Sequence, residues 1–274
     1  MNDKILKEMF VIVPIHEYTD EMNELLSRAI SSIPQGMETC IILNKDNQEN
    51  IEKINALCKE KLNSYVICAL PNSNSDNSNT FSEMINHAVS LYNDESFKYF
   101  SILEFDDVYT DIWFKNIVEQ IEDKPDVSVY LPLTEIIDYN NNRFISYGNE
   151  APWASSFSEE IGYIDNDSLQ QYFDFYLTGS VFNLKDWKYV GELKVSMKLT
   201  FWYEFLLRLT HNDKKAFVIP KLIYKHYVNR PNSLYMQYKE TISEDEGRWW
   251  YDLALEEYRY KKDRKKVYTK VEED

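Results

Sequence analysis

Glycine is scarce in this chain, with six residues in 274, and that scarcity removes whole classes of nucleotide-binding protein. No glycine-rich loop of the dinucleotide or P-loop kind can be assembled, and neither Gly-x-Ser-x-Gly nor His-Glu-x-x-His occurs. Cysteine is sparse too. Cys40, Cys58 and Cys68 are odd in number and lack the paired spacing of a zinc site, so they read as buried free thiols. The histidines, His16, His87, His211 and His226, show no metal spacing and read as ordinary surface or half-buried residues. Positive charge is short, with 30 Lys and Arg against 46 Asp and Glu, a net charge of -16. That balance excludes a nucleic-acid backbone or an anionic membrane as the main partner. No apolar run approaches the ~20 residues that span a bilayer, and Met1-Asn-Asp-Lys-Ile lacks a secretory signal's apolar region. The expected location is the cytoplasm. The acids after residue 103 also fail the aspartyl-phosphate pattern, because, counting from Asp106, Val108 stands where it needs a second carboxylate ahead of the hydroxyl position at Thr110.

What the chain does have is a regular alternation of short apolar runs and amphipathic stretches. Met9 to Pro14, Cys40 to Leu43, Tyr65 to Leu70, Tyr99 to Leu103 and Val127 to Leu133 read as strands. Between them lie helical spacings at Leu25 to Ile33, Ile51 to Leu62, Met84 to Leu91 and Ile112 to Ile121, with Asp20 as a cap for the first. Strands alternating with helices imply a mainly parallel sheet with right-handed crossovers. The polar segment Pro71 to Asn79 reads as a surface loop. At the end of the fourth strand the apolar run stops in Glu104, Asp106 and Asp107. In an open α/β sheet that is the edge where ligands bind. Glu104 and Asp106, two residues apart, point the same way in extended backbone, within reach of one divalent cation and its phosphate ligands. Pro14, Asn44, Pro71 and Asp106 should share that rim.

Beyond Leu133 the pattern changes. Glu135 to Tyr147 alternates around Asn140-Asn-Asn142 like a hairpin, and Asn149 to Gln171 is acidic and weakly periodic, which predicts an exposed excursion over residues 134–175 with little core contact. Ordered structure resumes at Tyr176 to Asn183. A short helix near Trp187, a longer one from Leu199 to His211 and two short strands, Ala216 to Ile219 and Leu222 to Tyr227, follow. A capping box at Ser243 to Glu246 opens a last helix, docked by its aromatic face and ending in the charged tail Lys261 to Lys266.

Several stretches, in order, resemble the inverting family-2 glycosyltransferases of GT-A fold. Phe10-Val-Ile-Val-Pro14, Asn23 to Ile33, Asn86 in Ile85-Asn86-His-Ala, Leu103-Glu104-Phe-Asp106-Asp107, Thr178-Gly179-Ser180, Val190-Gly191, Glu204-Phe-Leu-Leu-Arg208 and Tyr227-Val-Asn-Arg230-Pro-Asn-Ser233 follow the family's order over roughly residues 9–235. The resemblance implies a GT-A domain over residues 1–233, with residues 234–274 as a C-terminal helix and tail packed on it. It implies transfer of a sugar from a nucleoside-diphosphate sugar to an acceptor hydroxyl on a glycan, lipid or protein, with inversion, assisted by Mn2+ or Mg2+. By the same resemblance Asp106 would bind the metal, Glu104 would face the ribose or the metal's waters, and Asp107 would stand behind them. Pro14, His16, Glu17, Asn44, Asp46 and Asn86 are the candidates for the nucleotide-sugar.

Two departures matter. The family's acidic pair that removes the acceptor proton is replaced by Phe201 and Trp202, leaving Glu204, one turn along, as the substitute base. Arg230 falls where many relatives carry a histidine, and it can hold a phosphate bidentately but not a cation. A second reading therefore stands beside the enzyme: a catalytically silent GT-A-like component of a homo-oligomer or larger assembly, such as a virion, located in the host cytoplasm or the particle itself.

Overall fold

The computed structural model describes residues 2–45, 47–71, 78–92 and 95–259. Strands β1 (Met9–Ile15), β2 (Glu38–Leu43), β3 (Tyr65–Ala69) and β4 (Tyr99–Ile102) pair in parallel in the order β3-β2-β1-β4. Helices α1 (Asn2–Lys7), α2 (Asn23–Ser31), α3 (Gln48–Lys61) and α4 (Thr80–Leu91) precede or connect them. A two-residue strand β5 (Val108–Tyr109) and helix α5 (Trp113–Asp123) lead to the long strand β6 (Val127–Asp138), which turns back as the exposed strand β7 (Arg143–Gly148). Then come β8 (Tyr163–Ile164), α6 (Asn166–Leu169), β9 (Val181–Asn183), α7 (Leu184–Val190), α8 (Phe201–His211), β10 (Lys215–Val228), α9 (Leu234–Thr241) and α10 (Glu244–Tyr258).

The sheet is mostly parallel and flanked by helices: β3, β2, β1, β4, β6 and β10 run one way. The reversed strands β9, β5, β7 and β8 are short. Period-2 alternation divides the apolar side chains between two cores. Phe10, Ile12, Cys40, Ile42, Phe100 and Ile102 face α4, α7, α8 and α10. Met9, Val11, Val13, Ile41 and Leu43 face α1, α2, α3 and α5. The parallel register places Pro14, Asn44, Pro71 and Asp106 at one end of the sheet, as the strand pattern requires. Cys40 and Cys58 are buried, Cys68 is half-buried, and all three are free thiols. Among the described residues no helix is long and apolar enough to cross a membrane.

Three expectations change. The two strands expected between Ala216 and Tyr227 are one strand, β10, which passes Pro220-Lys221 through a register shift against β6. Proline lacks the donor a ladder needs, so the sequence reads as a break where the chain only bulges.

The segment Asn149 to Gln171 is not an excursion free of the core. Asn149, at φ 65°, bonds the carbonyls of Pro132 and Tyr176, β8 pairs with β10, and Ile164 and Leu169 are buried. Trp153 donates its indole N–H to the Val218 carbonyl. Gly162, at φ 85°, lies so close to Phe217 that a Cβ would come within 2.8 Å of its ring. Of the segment's acids, Asp165 caps α6 while Leu169 packs beneath.

Finally, α9 has no counterpart in the sequence reading. The expected tail at Lys261 to Lys266 and the loop at residues 72–77 lie outside the described residues.

Candidate active site

The β4 strand ends at Ile102, and the backbone then turns, with the Asp107 N–H bonded to the Glu104 carbonyl. This turn carries the acids, but β10 decides what each one does. Tyr224 and His226 alternate onto one face of β10. The Tyr224 hydroxyl and His226 Nδ1 both donate to Asp107 Oδ2 at 2.7 Å, and the Tyr227 N–H donates to Oδ1 at 2.8 Å. Gly179, at φ 76°, leaves room for this arrangement: a Cβ there would come within 2.3 Å of the Tyr224 ring. Arg230, just past β10, donates Nε to Asp106 Oδ2 at 2.6 Å and lies over the Phe105 ring. From α2, Arg28 donates to the Asp106 carbonyl at 2.7 Å and stacks on Tyr227.

The electrostatics follow from three carboxylates and two cations crowded out of water. Burial, then Asp107, pushes the Glu104 carboxyl up to about 8. Burial and Asp107 also raise Asp106, with Arg230 opposing. His226 is pulled down by burial, but Asp107 outweighs that and holds it up to about 9. Both shifts favour the protonated forms of Glu104 and His226.

Ligand atoms of Glu104, Asp107 and His226 lie within 4.8 Å of one another. Two carboxylates and an imidazole are a suitable donor set for a divalent ion such as Mn2+ or Mg2+, once the imidazole proton leaves. This differs from the expected division of labour. Asp107 and His226 join Glu104 in the candidate cation group, while Asp106 is engaged by Arg230. His226 was missed in the sequence because its partner is 119 residues away. The usable signal was the Tyr224-x-His226 alternation on one strand face.

A cavity of about 570 Å³ opens on this cluster. Pro14, His16, Glu17, Glu104, Asp106, His226 and Arg230 border it at the sheet rim. The remaining wall comes from residues 173–178, the start of α8, and the α9–α10 pair. His16 Nδ1 meets Asn44 Nδ2 at 3.3 Å, and burial lowers its pKa, with Glu17 opposing. Asn44 is buried off the lining, and its Oδ1 has no hydrogen-bond partner among the described residues. Asp46 lies outside the described residues. Burial first, then Asp174 and Tyr235, pushes the Tyr176 hydroxyl up to about 12, and the Tyr176 ring lies 5.5 Å from that of His226.

Two sequence candidates are corrected. Asn86 does not line the cavity: its amide bonds both the carbonyl and the N–H of Leu193, tying α4 to the loop after α7. Glu204 is fully buried and saturated. It accepts from Arg208 Nε at 2.9 Å and Nη2 at 3.0 Å and from the Tyr258 hydroxyl at 2.8 Å, with Lys194 Nζ at 3.1 Å. A carboxylate held by four donors and sealed from the cavity cannot take an acceptor's proton.

Solved structures share this arrangement of sheet and helices. The chain matches S. aureus TarS 1-349 at a TM-score of 0.56 and 14% identity, over 80% of this chain and 60% of that one. It matches the UDP-GlcNAc complex of the same protein at 0.57, over 83% and 60%. The mannosyltransferase PcManGT of Pyrobaculum calidifontis, in complex with GDP-Man and Mn2+, matches at 0.57 and 10% identity, over 82% and 58%. The fold is GT-A-like. No protein-family model and no curated protein sequence matches the chain. The GT-A-like chain spans about 60% of the length of TarS 1-349. At these identities the likeness is one of fold, and activity has to be argued from the cavity.

Proposed function

We propose that the chain binds a nucleoside-diphosphate sugar in this cavity and transfers the sugar, with inversion, to an acceptor hydroxyl. The observation that carries the reading is that one cavity, at the carboxyl end of a GT-A-like sheet, joins a carboxylate–imidazole cluster and Arg230 to a wall able to hold a second substrate. Glu104, Asp107 and His226 would hold a divalent ion, which when bound neutralises charge growing on the leaving diphosphate. Arg230 offers the same diphosphate a planar, permanently charged donor. Pro14, His16 and Glu17 line the part of the cavity where the nucleoside would rest.

As the acceptor oxygen attacks the anomeric carbon, the carbon–oxygen bond to the diphosphate breaks and the acceptor proton must leave. With Glu204 sealed, we assign that proton to Asp174, an exposed carboxylate that borders the cavity.

The silent reading is favoured by a specific observation too: Asp106 and Asp107 already have counter-charges in Arg230 and His226, so the acids are satisfied without a ligand. One experiment separates the two. Melting with UDP, GDP and their sugars plus Mn2+ should raise Tm by about 5 to 10 °C at a hundredfold excess over Kd, and the matching sugar nucleotide should be slowly hydrolysed. A shift without hydrolysis or transfer would establish a binding protein that has lost its chemistry. No shift with any nucleotide would sink the donor site itself.

A further inference from the structure

The wall of the cavity beyond the acids is built of rings: Phe81, Phe173, Phe201, Trp202, Tyr235 and Tyr251. Two of them, Phe173 and Tyr235, are 57% and 60% exposed although they line a cavity. Rings left in water at the mouth of a cavity mark a surface that meets a ligand.

This mouth is held in shape. Phe173 sets its edge against Tyr251 at 4.9 Å, Tyr251 stacks on Tyr203 at 4.8 Å, and the Tyr203 hydroxyl is fixed on the Leu169 carbonyl at 2.7 Å. It is also continuous with the acid cluster, because Tyr176, whose ring lies 5.5 Å from that of His226, lines the same cavity as Tyr235 and Asp174. Polar groups border it: Asp174 from the same segment as Phe173, and Lys198 ahead of α8.

The chemistry of the mouth discriminates among acceptors. An acyl chain is best enclosed by branched aliphatic side chains and needs no hydrogen bonds. Flat rings edged by a carboxylate, an ammonium group and tyrosine hydroxyls suit a ligand with an apolar face and a polar rim. A pyranose is such a ligand: its C–H groups form a face, and its hydroxyls project around the edge.

We propose that this mouth is the acceptor subsite and that it takes a saccharide, a pyranose ring laid on Tyr235 and Phe173 with hydroxyls bonded to Asp174 and Lys198. The proposal rests on the transferase reading, but its test does not use the donor. Saturation-transfer NMR and tyrosine fluorescence on the full chain, without nucleotide or metal, would follow titration with maltotetraose, cellotetraose and chitotetraose. At least one should bind saturably. Tyr235→Ala and Phe173→Ala should each weaken it about tenfold, and Tyr235→Phe, which keeps the ring face, should retain most of the affinity. Both rings are more than half exposed, so the unliganded Tm of these variants should stay within about 2 °C of wild type. Failure of every tetrasaccharide to bind, or equal binding by wild type and both alanine variants, would overturn the proposal. So would phosphatidylcholine vesicles that bind wild type and are lost in the same variants. Donor binding is read separately in the nucleotide melting experiment, so failure there and failure here are told apart.

Discussion

Two clusters among the described residues pair buried carboxylates with cations, and they differ in their access to the cavity. Around Glu204 a single carboxylate meets Arg208, Lys194 and the Tyr258 hydroxyl, with every oxygen occupied and Glu204 off the lining of the cavity. Around Asp107 three carboxylates share Arg230 and His226, and a cavity opens on Glu104 and Asp106, with Asp107 buried behind them. The first has more donors than its charge requires and serves as a rivet joining α8, the loop after α7 and α10. In the second, Arg230 and His226 match two of the three carboxylates, and Glu104 has no salt-bridge partner among the described residues. Burial of a charged residue alone does not mark a functional site. The balance of charge and the access of a ligand do.

The sharpest way to break the comparison is to remove the rivet. Glu204→Ala leaves Arg208, only 11% exposed at its side chain, facing no countercharge. That change should cost about 3 to 5 kcal/mol, read by denaturant unfolding as a lower midpoint at unchanged slope. A loss under 1 kcal/mol would show that the sealed cluster is not structural.

Asp106→Asn tests the open cluster. It frees Arg230 for the diphosphate, so the nucleotide-dependent rise of about 5 to 10 °C should persist, while the unliganded Tm should fall because Arg230, 11% exposed at its side chain, loses its carboxylate. Loss of the nucleotide shift in this variant would return Asp106 to the donor site.

The pH dependence is a third separation. Glu104 goes from an ordinary 4.5 to about 8 and His226 from 6.5 to about 9. In both cases the folded state binds more protons than the unfolded chain between those values. The unliganded protein should therefore lose stability steadily as pH rises from 5 to 9, since His226 contributes fully only below 6.5 and Glu104 is progressively forced to ionise. Glu104→Gln should flatten the lower part of that slope. Added Mn2+ should stabilise more at pH 8.5 than at pH 6, because the ion must displace those protons. Melting curves across pH with and without Mn2+ would check both, and a slope of opposite sign would contradict the crowding.

The smallest effect belongs to Tyr258→Phe, which removes one of the donors to Glu204 and anchors α10 a little less firmly. The expected loss is about 1 kcal/mol, with no change in the nucleotide shift.

Much of the fold was legible because it is local. The apolar runs from Met9, Cys40, Tyr65, Tyr99 and Val127 sit where the strands are, and the acids after Leu103 fall at the sheet's carboxyl rim because the backbone leaves the strand there. The capping signal at Ser243 likewise opens α10, with Ser243 accepting from the Glu246 N–H. Roles within the site were not legible. Asp106 and Asp107 are neighbours in sequence, and what distinguishes them is which partner arrives from β10 and just beyond it, 117 to 124 residues later. Glu204 looked available because helical spacing places it one turn from Phe201. The same spacing puts Arg208 one turn further on, and only the packing of α10 closes the pocket over both.

By itself, then, the sequence determined an alternating α/β chain with a carboxylate-rich turn at a strand end, because hydrophobic periodicity and turn chemistry act over a few residues. The tertiary structure decided which carboxylate meets which cation, which one is sealed away, and that the aromatic wall borders the acids. Those outcomes depend on contacts between segments far apart in the chain, where no local pattern carries information.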